Sequence, residues 1–116
     1  MPESPPRGEP RITPYLLYEE VAAALDWLAA AFGFREVLRY TDDDGTVSHA
    51  EMRFEEGVVF MGDPGPDWRN PKHIGQPCQH VHVYVDDVDA WYQRALAAGA
   101  VSMEPPARQP YGERRA

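Results

Sequence analysis

The sequence predicts an α+β fold made from one strand–helix–strand unit used twice. Three observations carry this. The segments TPYLLYEEVAAALDWLAAAFGF (Thr13–Phe34) and HVHVYVDDVDAWYQRALAAGA (His80–Ala100) share a frame. Aligning Glu19-Glu20-Val21 with Asp86-Asp87-Val88 puts an apolar strand before each acidic pair, a helix-length segment after it, and a glycine (Gly33, Gly99) at its end. Such a repeat implies two related halves, with a ligand site where they meet. The first half continues through three more strands, giving β-α-β-β-β. The second half stops after the start of one.

Ile12–Tyr18 is the first predicted strand, rich in Ile, Leu and Tyr. Glu19 and Glu20 sit where a helix begins, at the positive end of its dipole. Val21, Leu25, Leu28 and Phe32 recur at helical spacing and define one buried face, and Gly33 marks the stop. Glu36–Thr41 and Thr46–Phe54 read as strands joined by Asp42-Asp43-Asp44-Gly45, because Asp-Gly tolerates the positive φ of a tight turn. Glu55-Glu56-Gly57 is the next turn, and Val58–Met61 the next strand. Residues 62–79 hold four prolines and three glycines without periodicity and read as a loop between halves or over a site. His80–Asp86 alternates and predicts a strand. Val88, Tyr92, Ala95 and Gly99 mark a second helix, flanked by Trp91 and Leu96, and Val101-Ser102-Met103 a last short strand. The organisation is therefore a disordered proline-rich arm over residues 1–10, a first βαβββ module over 11–62, the Pro/Gly-rich connection over 63–79, and a second, incomplete module over 80–116. Either the natural chain continues past Ala116 or a partner chain completes the sheet. Continuation is the reading taken, because an open core edge is a liability. A ferredoxin-like βαββαβ arrangement would not accommodate the extra strand at Val58–Met61.

A 116-residue chain that is 43% hydrophobic can bury one core. The formal charge of −8 argues against nucleic acid and against anionic membranes, since both need clustered Lys and Arg. It suits solubility and is compatible with cationic ligands. Cys78 is the single cysteine, so no intrachain disulfide forms and a reducing cytoplasm is expected. A buried, inert thiol is the favoured reading of Cys78. No apolar run reaches the roughly 20 residues of a membrane helix, and MPESPPRGEP lacks the apolar stretch of a signal peptide.

The repeated β-α-β-β-β pattern, the strand HVHVYVDDVDAW and the ending PYGERRA together resemble the vicinal oxygen chelate superfamily, from about Arg11 onward. That group includes glyoxalase I, bleomycin-resistance proteins, fosfomycin-resistance enzymes and extradiol dioxygenases. The resemblance implies paired modules curling their sheet into a curved half-barrel, helices outside, and a homodimer whose cavities use strands from both chains. In the family's metalloenzymes, His, Glu or Gln ligands lie on the first and last strands of each module. Those positions fall at or near Thr13, near Phe60, on His80, and beyond Ala116. Of the three visible positions only His80 carries a donor, whereas a divalent metal (Zn, Ni, Mn or Fe) typically takes three or four. A family strand carrying Asp-Pro-x-Gly is expected after Ala116.

Within His80–Val85, the residues His80, His82 and Tyr84 share one face and the three valines the other, which suits the side under a helix. Thr13, Tyr15 and Leu17 are their counterparts in the first copy, so six side chains are expected to line one hollow. The two histidines can share a metal, contact a ligand without one, or be satisfied polar residues at a dimer interface. His49, Glu51 and Arg53 share a strand face opposite Ala50, Met52 and Phe54, and solvent exposure of that face is the favoured reading. Trp68, beside Arg69 in the long loop, suits stacking on a planar or cationic ligand or holding the loop to the body. Trp27 and Trp91 read as helix-packing residues. Tyr111 and Arg114 fall where the family has a cavity-rim loop. The candidate ligand residues are thus Thr13, Tyr15, Leu17, Phe60, Trp68, His80, His82, Tyr84, Tyr111 and Arg114, with His80 the metal candidate. The expected function is sequestration of an aromatic or cationic small molecule. The alternative is a metal-dependent glyoxalase-like lyase or isomerase.

Overall fold

Turn chemistry sets the first half of the molecule, seen in a computed structural model that describes residues 4–116. β1 spans Tyr15–Leu17, α1 Val21–Phe32, β2 Arg35–Thr41, β3 Val47–Phe54 and β4 Gly57–Gly62. The Asp-rich turn joins β2 to β3: Gly45 N–H donates to Asp42 O, and Asp42 N–H donates to Thr46 O. Asp44 Oδ1 accepts from Thr46 N–H, and that bond holds the Asp44 carboxyl below its ordinary value. β4 returns antiparallel to β3, and β1 lies parallel to β4, giving the sheet order β1-β4-β3-β2. A parallel pair needs a crossover, which α1 and the β2–β3 hairpin supply. The predicted βαβββ unit is therefore present, with its helix packed outside the sheet.

α1 buries Val21, Leu25, Leu28 and Ala31. Val21, Leu25 and Leu28 meet Ala50 and Met52 of β3 and Val59 and Met61 of β4 to form the core. Ala31 takes the place predicted for Phe32, which is half-buried and continues a chain of rings: Trp27, Phe32, Phe34, Phe54 and Trp91, with successive centroids 5.4 to 6.1 Å apart. The first strand is shorter than the predicted Ile12–Tyr18, because only Tyr15–Leu17 meets β4 in register.

The second copy keeps its helix and not its strands. α3 (Val88–Ala97) forms as expected, with Asp87 Oδ1 accepting from Ala90 N–H as its N-cap. Glu20, the counterpart in α1, makes no side-chain cap bond. The predicted strand His80–Asp86 has no ladder partner among the described residues, and Val81 and Val83 are 46% and 39% exposed rather than tucked under the helix. Alternation alone does not make a strand; a hydrogen-bonded neighbour does. Residues 101–103 are likewise not a strand. A hairpin of β5 (Ala107–Arg108) and β6 (Arg114–Arg115) follows instead. A short helix, α2 (Pro71–Ile74), interrupts the long loop, capped by Asn70 and unforeseen because four residues carry no period. Cys78 is exposed, which corrects the buried reading. The predicted arm falls partly on residues 1–3, outside the described residues. Over residues 4–10 there is no helix or strand, and Glu9 pairs with Arg53 of β3.

α1 and α3 hold each other by their C-terminal ends. Trp27 Nε1–H donates to Ala98 O (2.7 Å), and Trp91 Nε1–H donates to Phe32 O (2.9 Å). Arg94 donates from Nε to Ala30 O (2.9 Å) and from Nη2 to Ala29 O (3.1 Å). Ala30 O and Phe32 O lie in the final turn of α1, which lacks intrahelical donors, whereas Ala29 O also accepts from Gly33 N–H; the guanidinium suits the negative dipole end of α1. Gly33 makes room: its φ is +73°, and a Cβ there would lie 3.0 Å from Arg94 Nη1. Gly33→Ala is predicted to lower unfolding free energy in urea by about 1–2 kcal/mol, from the left-handed backbone alone. An unchanged midpoint would contradict this reading.

Candidate functional site

The sheet has one face under α1 and one open. Leu16, Ala50, Met52, Val59 and Met61 face the helix. Their neighbours Tyr15, Leu17, His49, Glu51 and Phe60 therefore face the other way. On that face a row of rings crosses all four strands. Tyr15 of β1 meets Phe60 of β4 edge-on (6.2 Å, 84°), and Phe60 meets His49 of β3 (5.6 Å, 66°). His49 stacks on Tyr40 of β2 (5.7 Å, 25°). Tyr15 and Tyr40, at the two ends, are 48% and 58% exposed.

Tyr15 Oη lies 2.8 Å from His49 Nδ1, although β4 runs between their strands. Gly62 permits this. It lies opposite His49 in the ladder, and a Cβ on it would sit 2.7 Å from Tyr15 Oη and 3.1 Å from Ser48 O. The tyrosine ring thus crosses β4 through the space a side chain would fill. Tyr40 reaches the open face through a β-bulge on its own strand: Glu36 pairs with Met52, but Leu38 pairs with Glu51 and Tyr40 with His49. Continued from Glu36 without that one-residue shift, the ladder would set Tyr40 opposite Ser48, on the helix side.

The remaining candidates lie elsewhere. His82 and Tyr84 pack edge to face (4.6 Å, 67°) and line a cleft of about 490 Å³ with Pro14, Phe34, Phe54 and Val58. Tyr15 and Leu17 do not line it, so the six side chains expected in one hollow are not gathered there. Leu17 is half-buried and lends its carbonyl to Asn70 Nδ2; Thr13 is half-buried just before β1; His80 is exposed. Tyr84 Oη donates to Glu113 Oε1 (3.3 Å). Arg114 forms a two-point ion pair with Asp89 of α3 (2.8 and 2.9 Å), tying the β5–β6 hairpin to that helix, and Tyr111 is exposed at the hairpin turn. Trp68 borders a separate cleft of about 350 Å³ with Glu19, Asp63, Gly65 and Pro66. The loop bearing it is held by Glu19, which meets Lys72 Nζ at 3.1 Å and His73 Nε2 at 2.7 Å. Lys72 above all, and then His73, hold the Glu19 carboxyl below its ordinary value.

Residues 11–116 match the Glyoxalase/Bleomycin resistance protein/Dioxygenase superfamily. The chain belongs to this superfamily. It is 33% identical over 111 residues to uncharacterised proteins of Mycobacterium bovis and Mycobacterium tuberculosis, a match covering 91% of this chain but 73% and 65% of theirs. Among solved structures it is similar to TioX from Micromonospora sp. ML1, at 35% identity and a TM-score of 0.70, covering 89% of this chain and 81% of that one. It also shares its fold with a gene product of Arabidopsis thaliana, at 21% identity and a TM-score of 0.64, covering 90% and 93%.

Superfamily membership makes a metal worth testing against the residues present. Among the described residues no three His, Cys, Asp or Glu side chains gather closely enough to hold one. The positions at Thr13 and Phe60 offer no imidazole or carboxylate. The described donor set therefore does not fit a metal centre. What the face offers is aromatic surface with a hydrogen-bonded Tyr–His pair inside it.

Two outcomes follow. Gly62→Ala is predicted to expel Tyr15 from its bond with His49 and to lower unfolding free energy by about 1–3 kcal/mol. A crystal structure of the variant with that bond intact would contradict it. For the Trp68 loop, the sign comes from Glu19: a depressed carboxyl supports the folded contact above its ordinary value of 4.5, and that support is lost as pH falls through the folded value. Amide exchange over residues 69–75, corrected for intrinsic rate, is predicted to accelerate below about pH 4.5, and in Glu19→Gln already at neutral pH. Equal protection in wild type and variant at neutral pH would refute this role.

Proposed function

We propose that the chain is a small-molecule binding protein of the superfamily that holds a planar aromatic compound, favourably a cationic one, on the open face of its sheet. The observation that carries this is the row Tyr15–Phe60–His49–Tyr40. Four rings from four strands line one face, Tyr15 and Tyr40 exposed and Phe60 and His49 half-buried, with Glu51 on the same face. Ligand sites are mainly apolar surfaces with a few placed polar groups, and this face has that composition. The charge of −8 favours cations over anions at the surface. A second copy of the chain closes the cavity in this reading. The uncovered Val81, Val83 and Tyr84 support it, because exposed apolar side chains suit a partner. A metal-dependent lyase or isomerase would need donors that the described residues do not bring together.

Calorimetric titration with 2-(aminomethyl)anthracene, a planar cation, tests the proposal. Saturable binding is expected, weakened about 2- to 10-fold by Tyr40→Ala, the usual value of one aromatic stacking contact. Binding that ignores Tyr40→Ala, or none at all, would refute it.

A further inference from the structure

Resting on that ligand-binding reading, we infer that Tyr15 fixes the tautomer of His49, so that His49 presents an Nε2–H donor and the face selects planar compounds bearing a carbonyl oxygen. The Tyr15 Oη to His49 Nδ1 distance is 2.8 Å, an ordinary hydrogen bond. A phenol is the stronger donor of the two groups, and a neutral imidazole nitrogen the stronger acceptor. The proton in the bond is therefore Tyr15's, and the imidazole's own proton sits on Nε2. Nε2 takes no protein partner among the described residues and is not sealed from solvent, which leaves it open to a ligand. The ring orientation is held twice more, by stacking on Tyr40 and by the edge of Phe60. A donor fixed in this way costs little to order on binding.

The chemistry of the neighbours narrows the ligand. A flat ring lying along Tyr15, Phe60 and Tyr40 meets the imidazole, which sits between Phe60 and Tyr40. An acceptor placed at the imidazole completes the otherwise unpaired N–H, and a ligand lacking one leaves that donor unsatisfied. Glu51 lies opposite Phe60 on the same face, and its carboxylate opposes an anionic oxygen. The recognised group is thus a neutral carbonyl on an aromatic ring system. Tyr15 is a positioning residue here, acting through His49.

Two measurements test this. In 15N-histidine-labelled protein at about pH 8, above the ordinary histidine range, long-range proton–nitrogen correlation should show His49 as the Nε2–H tautomer. Tyr15→Phe should convert it to a mixture. A predominant Nδ1–H form in the wild type would overturn the inference, as would an unchanged tautomer in Tyr15→Phe. Calorimetry then compares 2-(aminomethyl)anthraquinone with 2-(aminomethyl)anthracene, which match in size and charge and differ in their carbonyls. The quinone should bind about 3- to 10-fold tighter, the usual value of one net hydrogen bond. His49→Phe should abolish that preference, and His49→Gln, whose amide keeps an N–H near the Nε2 position, should retain part of it. Equal binding of both probes with sensitivity to Tyr40→Ala would overturn the inference and leave the aromatic face standing. Binding of neither would overturn both.

Discussion

The reciprocal hold between α1 and α3 is the constraint on which the rest depends. Each helix ends in carbonyls that need donors, and each receives them from the other: Trp27 serves Ala98, while Trp91 serves Phe32 and Arg94 serves Ala30, Arg94 also sharing Ala29 O with Gly33 N–H. In the aligned repeat Trp27 and Arg94 occupy the same position, so one device is used in both directions with different chemistry. No ladder joins residues 80–86 to the sheet among the described residues. The helix pair, with the Phe54–Trp91 contact, therefore places the second copy against the first. It also fixes the cleft between residues 81–86 and the Phe54–Val59 end of the sheet.

With the helices committed to one side, the sheet's other side is left free for chemistry. Two backbone irregularities shape it. Gly62 leaves a notch through which Tyr15 crosses β4, and the bulge between Glu36 and Leu38 turns Tyr40 to the open side. Both put aromatic surface beside His49. A regular ladder with a side chain at position 62 would have kept Tyr15 from His49 and sent Tyr40 to the helix side. The superfamily fold thus supplies the sheet, and these local departures set which side chains its open face presents.

The sequence made the frame legible because its signals are local and periodic. The Asp-Gly turn, the apolar face of α1 and the acidic-pair repeat each state their own geometry. Tyr15 entered the candidate set by alternation and alignment of the two copies, and Phe60 through the family resemblance; the sheet places both on its open face. Tyr40 was not named, because a bulge is invisible to a period of two; His49 was read on the uncovered face, and there it lies, opposite the core residues Ala50 and Met52. The strand expected at His80–Asp86 failed for a related reason: its pattern is right, but a strand exists only with a neighbour, and none lies beside it among the described residues. Arg114 was read as a rim residue, whereas its charge is taken up by Asp89, which no sequence spacing announces.

The central claim is that the open face of the β1-β4-β3-β2 sheet is the ligand site. A crystal structure of the protein with 2-(aminomethyl)anthraquinone tests it most directly. The account predicts the ring system over Tyr15, Phe60 and Tyr40, with a carbonyl oxygen at hydrogen-bond distance from His49 Nε2. A ring system seated instead in the Trp68 cleft, or between residues 81–86 and Phe54, would contradict it.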